Sequence, residues 1–125
     1  MSIYIAIAVG GSLGAVARYW VQGATHQWLG YGFPYGTLTV NVTGSLLMGF
    51  LSVLLLHRFP FGEAVRLGLL VGFLGSFTTF STFAMDTLQL TDIGAILKAI
   101  SYVLLSVLFC IVGAWAGLLT AKSMI

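Results

Sequence analysis

Four long apolar runs take up most of this chain: about Ile3 to Trp20, Leu38 to Leu56, Ala64 to Met85 and Ile93 to Ala121. Each is long enough for the roughly 20 residues that a bilayer-spanning helix requires. With 59% hydrophobic and 6% charged residues over 125 positions, the chain has too little polar surface to cover a water-soluble globule. The expected fold is an all-α integral membrane protein, a single transmembrane domain over residues 1–125 with four transmembrane helices. The connections carry turn residues: GYGFPYG at Gly30 to Gly36, HRFPFGE at His57 to Glu63, and Gln89 to Asp92 between the third and fourth runs. Trp20, Trp28, Tyr31, Tyr35 and Phe59 lie near these ends, as aromatic side chains do at a membrane interface. No basic residue precedes Ile3 and no cleavage pattern follows Gly14, so the first run is expected to stay as a helix rather than leave as a signal peptide.

The third run is unusual. Its segment Gly72 to Phe83, GFLGSFTTFSTF, places the hydroxyls of Thr78, Thr79, Ser81 and Thr82 where hydrocarbon should surround the backbone. Phe77, Phe80 and Phe83 recur every third residue and share one side of a helix. In the second run Thr37, Asn41 and Ser45 fall four residues apart and form a polar stripe; Tyr102, Ser106 and Cys110 repeat that spacing in the fourth. Taken singly, each has an ordinary structural reading: hydroxyls bond back to the preceding turn, and Asn41 ties helices together. Taken together, in a chain with so little charge, they read as a lined path for a small polar solute. The donors are an amide, hydroxyls and the positive edges of phenylalanine rings, none a full positive charge in mid-membrane. Such donors suit a small anion, because many weak ones replace a hydration shell without trapping the ion.

The acidic residues Glu63, Asp86 and Asp92 are expected at or near helix ends. A proton-coupled exporter of cationic compounds needs a central carboxylate, and this chain offers none. A noncatalytic membrane assembly subunit, whose glycines and Asn41 only pack helices, is the other alternative. His26 and His57 are peripheral, no nucleophile, base and acid constellation is visible, and an enzyme has no support. The single cysteine, Cys110, has no partner within the chain, and a net charge of +2 gives no basis for a nucleic-acid partner.

Two features bear on assembly. The pairs Gly10 and Gly14, Ser45 and Gly49, Gly68 and Gly72, and Gly113 and Gly117 supply more close-packing surface than four helices need, which favours a homodimer. Arg58, Arg66 and Lys122 fall on the face that holds the termini, with Arg18 and Lys98 toward the other. So small a bias permits insertion both ways up, hence an antiparallel, dual-topology dimer.

The strings GGSLGAVARY at Gly10 to Tyr19, GTLTVNVTGSLLMG at Gly36 to Gly49 and GFLGSFTTFSTF at Gly72 to Phe83 together resemble the fluoride channels of the Fluc or CrcB type, over nearly the whole chain. The resemblance implies passive, selective export of cytoplasmic fluoride across a bacterial cell (inner) membrane, through two pathways each built from both subunits of an antiparallel dimer. It implies that Phe80 and Phe83 turn ring edges to the ion, that Asn41 donates beside them, and that Ser81, Thr82, Tyr102 and Ser106 continue the track begun at Thr37. It also implies a structural sodium ion at a break in the third helix, held by the backbone carbonyls of Gly75 and Thr78. A helix interrupted at Gly75 and Ser76 would free carbonyls that need a partner where water is absent. Arg18, within the first string, has two readings: concentrating anions at a vestibule, or snorkelling and capping carbonyls.

Overall fold

In the computed structural model, residues 2–125 are described; Met1, the first residue of the expected domain, lies outside them. Four spans cross the molecule: α1 (Ile3–Leu29), α2 (Tyr35–His57), a composite third span, and α6 (Ile96–Ser123). The third consists of α3 (Glu63–Leu67), a π-helical stretch (Gly68–Leu74), α4 (Gly75–Phe77) and α5 (Phe80–Asp92). All four have the length and apolar character to cross a membrane.

The helices run further than the apolar runs suggest. The first continues to Leu29 instead of Trp20, the second starts at Tyr35 instead of Leu38, and the third ends at Asp92 instead of Met85. Gln89 to Asp92, expected as a connection, is therefore helical, and the turn is Ile93–Ala95. Loss of hydrophobicity marks where a helix leaves the bilayer, but only a backbone event ends it. That event is a glycine at positive φ, Gly30 (82°) after α1 and Gly94 (79°) after α5. The Gly30 N–H closes the α1 terminus on the His26 carbonyl at 2.8 Å.

Small residues set the packing. α2 lies most extensively along α6, and α1 along the π-helical stretch. A Cβ at Gly117 would collide with the Leu46 carbonyl, and one at Gly49 with that of Ala114. Gly10 and Gly14 seat α1 on the backbone at Gly68 and Phe73 in the same way. Glycines of every expected pair are thus engaged inside one subunit, and no surplus remains to favour a homodimer on that ground.

Two long-range bonds fix the arrangement of ends. Arg58 donates to the Met124 carbonyl, joining the connection between the second and third spans to the C terminus. Lys98 Nζ donates to the Gly32 carbonyl at 2.9 Å, joining the start of α6 to the connection between the first and second spans at the other end. Four antiparallel spans follow.

Candidate functional site

The third span breaks at Thr78 and Thr79, three residues later than the Gly75 and Ser76 interruption supposed with the resemblance. Gly75 keeps helical angles (φ −61°, ψ −33°), whereas Thr78 (−85°, 156°) and Thr79 (−151°, 117°) are extended. Both are β-branched and suit extended backbone. Thr79 then caps α5, its Oγ1 accepting from the Thr82 N–H at 3.2 Å.

Asn41 holds this break from α2. The Thr79 N–H donates to Asn41 Oδ1 at 2.7 Å, and Asn41 Nδ2 donates to the Thr79 carbonyl at 3.0 Å. The amide thus satisfies both backbone groups of the residue that leaves the helix, and one of its two N–H hydrogens stays uncommitted. From α1, Arg18 Nε donates to the Ser76 carbonyl at 3.0 Å. Arg18 was expected toward the far face. It instead places a half-buried guanidinium beside the middle of the third span, where no full positive charge was anticipated. The cause is the length of α1, which carries about three further turns beyond Arg18.

These clamps decide which carbonyls are left over. A continuous helix would give the Thr79 N–H to the Gly75 carbonyl and the Thr82 N–H to that of Thr78. The first goes to Asn41 and the second to Thr79 Oγ1. Gly75 and Thr78 therefore lose their helical donors and offer two hard oxygens, a donor type that suits an alkali or alkaline-earth cation.

Beside the break lies a cavity of about 450 Å³. Asn41, Ser45 and Met48 of α2 wall it on one side, Ser106 and Cys110 of α6 on another, and Thr78, Thr79, Phe80 and Phe83 on a third. Phe80 is 80% exposed on the single chain, and its ring centroid is 5.3 Å from that of Phe83. Ser106 is 6% exposed, and its Oγ has no partner among the described residues. Ser81 and Thr82 lie outside this wall and join a hydroxyl relay: Thr79 donates to Thr82 Oγ1 at 3.0 Å and stands 3.3 Å from Ser81 Oγ.

A second cavity, about 490 Å³, is lined by His26, Tyr31, Thr37, Asp86 and Gln89 with apolar neighbours. Thr37 is buried and its Oγ1 accepts from Gln22 Nε2 at 3.3 Å. His26 Nδ1 lies 3.0 Å from the Gly30 carbonyl and the ring stacks on Tyr31, so it is built into the turn. Between the cavities stands Tyr102, fully buried, its ring 5.2 Å from Phe83 and 5.5 Å from Phe33. Its hydroxyl donates to Asp86 Oδ2 at 3.0 Å. The Tyr102 proton is therefore spent on a carboxylate, contrary to its expected place as a donor along the track. Asp86 lies near the C-terminal end of the third span, just beyond the apolar run that stops at Met85, and its carboxylate faces α6. No sequence signal reveals that pair, because it depends on the axial offset of two helices.

Fold and site together define a multi-pass membrane protein with a partly open, mostly apolar cavity beside the break in its third span. The profile of the family described as CrcB-like protein, Camphor Resistance (CrcB) matches residues 5–118, and this chain belongs to that family. Among relatives, the fluoride-specific ion channel FluC of Methylococcus capsulatus is 52% identical over 117 residues, covering 94% of this chain. The match spans 51% of that relative, so the chain accounts for about half its length. FluC of Geobacter sulfurreducens is 44% identical over 124 residues, covering 99% of this chain and 100% of the relative. FluC of Geobacter metallireducens is 44% identical over 122 residues, covering 98% of each.

Proposed function

We propose that this protein is a passive, fluoride-selective channel that lowers cytoplasmic fluoride. The observation that carries the reading is the cavity beside the break, where Asn41, Ser106, Phe80 and Phe83 line a wall otherwise mostly apolar. The names of the relatives supply the ion. A compact anion gains most from the amide and hydroxyl donors, with weaker attraction to the ring edges, and none of these groups carries a charge that would hold it. Fluoride enters cells as its neutral acid and ionises at the higher internal pH, so an inside-negative potential drives the anion out.

The functional unit is an antiparallel homodimer with two pathways. On one chain the Phe80 ring and Gly75 are exposed, so the cavity wall and the break lack a covering surface that a second copy would supply. Two carbonyls from each subunit, those of Gly75 and Thr78, would then hold a structural sodium ion. Arg18 occupies the Ser76 carbonyl, which leaves those of Gly75 and Thr78 as the ligands.

The test is efflux from liposomes carrying the purified protein, with fluoride and chloride followed in parallel. Rapid fluoride loss without a proton gradient, and far slower chloride loss, is the expected result. Absence of fluoride movement, or movement only when protons are driven inward, would overturn the reading.

A further inference from the structure

The short connection after α2 builds a third cavity, a cleft of about 280 Å³. Leu55 and Leu56 of α2 wall it on one side, Phe59 and Phe61 of the connection on another, and Glu63 and Arg66 of α3 complete it. Its wall is mostly polar although five of its seven residues are apolar, so Glu63, Arg66 and the loop backbone supply the polar surface. The two phenylalanine rings are exposed and stack with centroids 5.8 Å apart. The cleft stands at the end of two membrane spans, the level at which phospholipid headgroups meet protein.

Residues three apart on a helix lie about 5–6 Å apart at Cβ, and a glutamate and an arginine at that spacing ordinarily pair. Here Glu63 and Arg66 form no ion pair, and neither side chain has a hydrogen-bond partner among the described residues. Arg58, in the same connection, is by contrast committed to the Met124 carbonyl. Arg66 is moreover half-buried, where an unanswered guanidinium is more costly than in open water. The cleft thus holds a cation and an anion side by side, each without a counterpart.

We propose that this cleft binds a zwitterionic phospholipid headgroup whose cationic end carries N–H donors, as in phosphatidylethanolamine. The phosphate accepts a forked pair of hydrogen bonds from the Arg66 guanidinium. The primary ammonium, two carbons away, donates to the Glu63 carboxylate and lies against the Phe59 and Phe61 rings. The first acyl carbons run over the exposed Leu56 side chain. Each half of the headgroup then meets the charge it lacks. An anionic glycerol headgroup satisfies Arg66 but brings no cation to Glu63, and a choline headgroup brings a cation with no N–H to donate. The cleft shares no lining residue with either larger cavity, so the site is independent of what crosses the membrane.

The experiment is native mass spectrometry of the full-length protein, purified in detergent and offered an equal mixture of phosphatidylethanolamine, phosphatidylglycerol and phosphatidylcholine with matched acyl chains. Phosphatidylethanolamine is expected to be retained roughly fivefold more than either competitor, at a single lipid per chain. Glu63→Gln should abolish that advantage and raise retention of phosphatidylglycerol, because the carboxylate that repels an anionic headgroup is gone. Arg66→Gln should lower retention of all three lipids, whose phosphates are alike. Lys122→Gln removes a basic residue outside the cleft and should leave the ranking unchanged. Equal retention of the three lipids by the unaltered protein would overturn the site. So would a preference for phosphatidylethanolamine that survives Glu63→Gln, or retention that Arg66→Gln leaves intact.

Discussion

Asn41 does two things that a glance at its spacing does not separate. Its amide closes both backbone groups of Thr79, and it leaves one N–H for the cavity. Asn41→Ala strands a buried N–H and a buried carbonyl, about 1–3 kcal/mol for each, and should lower the detergent melting temperature as well as efflux. Asn41→Asp keeps the acceptor for the Thr79 N–H but turns a carboxylate oxygen toward the Thr79 carbonyl and toward an anion. Efflux should fall by about tenfold or more in that variant, through repulsion between like charges; full conduction would show that Asn41 serves the break alone. Phe80→Ile and Phe83→Ile remove ring edges while keeping bulk, and should cut flux sharply with the assembly intact on size exclusion. Unaltered flux in both would take the rings out of the mechanism. At this scale the sequence exposes one face at a time: the Thr37, Asn41 and Ser45 stripe is legible, and its last two members do meet Ser106 and Cys110 in one cavity. The partners of Tyr102 and Arg18 are illegible, because each bond spans helices whose relative height is a tertiary fact.

Among the elements, close approach of helices is the strongest constraint. Gly14 and Gly117 each face a backbone carbonyl of a neighbouring span, at Phe73 and Leu46. Backbone cannot move aside as a flexible side chain does, so Gly14→Val or Gly117→Val should destabilise by about 1–3 kcal/mol or more. Loss of the monodisperse species on mild heating would register it, and Gly23→Ala, which meets nothing within 4 Å, is the matched control. The existence and number of the spans were legible from apolar run length alone. Their ends were not, since α1 passes through Gln22, Thr25 and His26 before Gly30 stops it. The break was expected only through the family resemblance, which pointed to Gly75 and Thr78. Glycine inside a helix costs only about 1 kcal/mol, and the cap at Thr79 together with the Asn41 clamp sets the position at Thr78 and Thr79.

For the molecule as a whole, charge and assembly belong together. The two end-to-end bonds, Arg58 to Met124 and Lys98 to Gly32, put basic residues at both ends of the bundle. With Arg18 at mid-span, Arg58, Arg66 and Lys122 at one end stand against Lys98 at the other, a small absolute difference that specifies orientation weakly. Reporters fused at the C terminus, one active inside the cell and one outside, should therefore both give signal; strictly one-sided signal would exclude dual insertion while leaving a parallel dimer open. Sodium can be tested on the same preparation. Replacing it throughout purification and assay by a large organic cation should depress efflux, because the carbonyls freed at Gly75 and Thr78 would then lack a counter-charge. Undiminished efflux would remove sodium from the assembly.

The clamps on the third span carry a consequence for biogenesis. Asn41 and Arg18 both precede that span in the chain, and each supplies a bond that its interrupted backbone requires. As it leaves the ribosome the segment has every incentive to enter the bilayer as an unbroken rod, its amides paired along their own axis. Bending becomes favourable through bonds from those two earlier spans, so the bent form of the third span depends on its neighbours being in place.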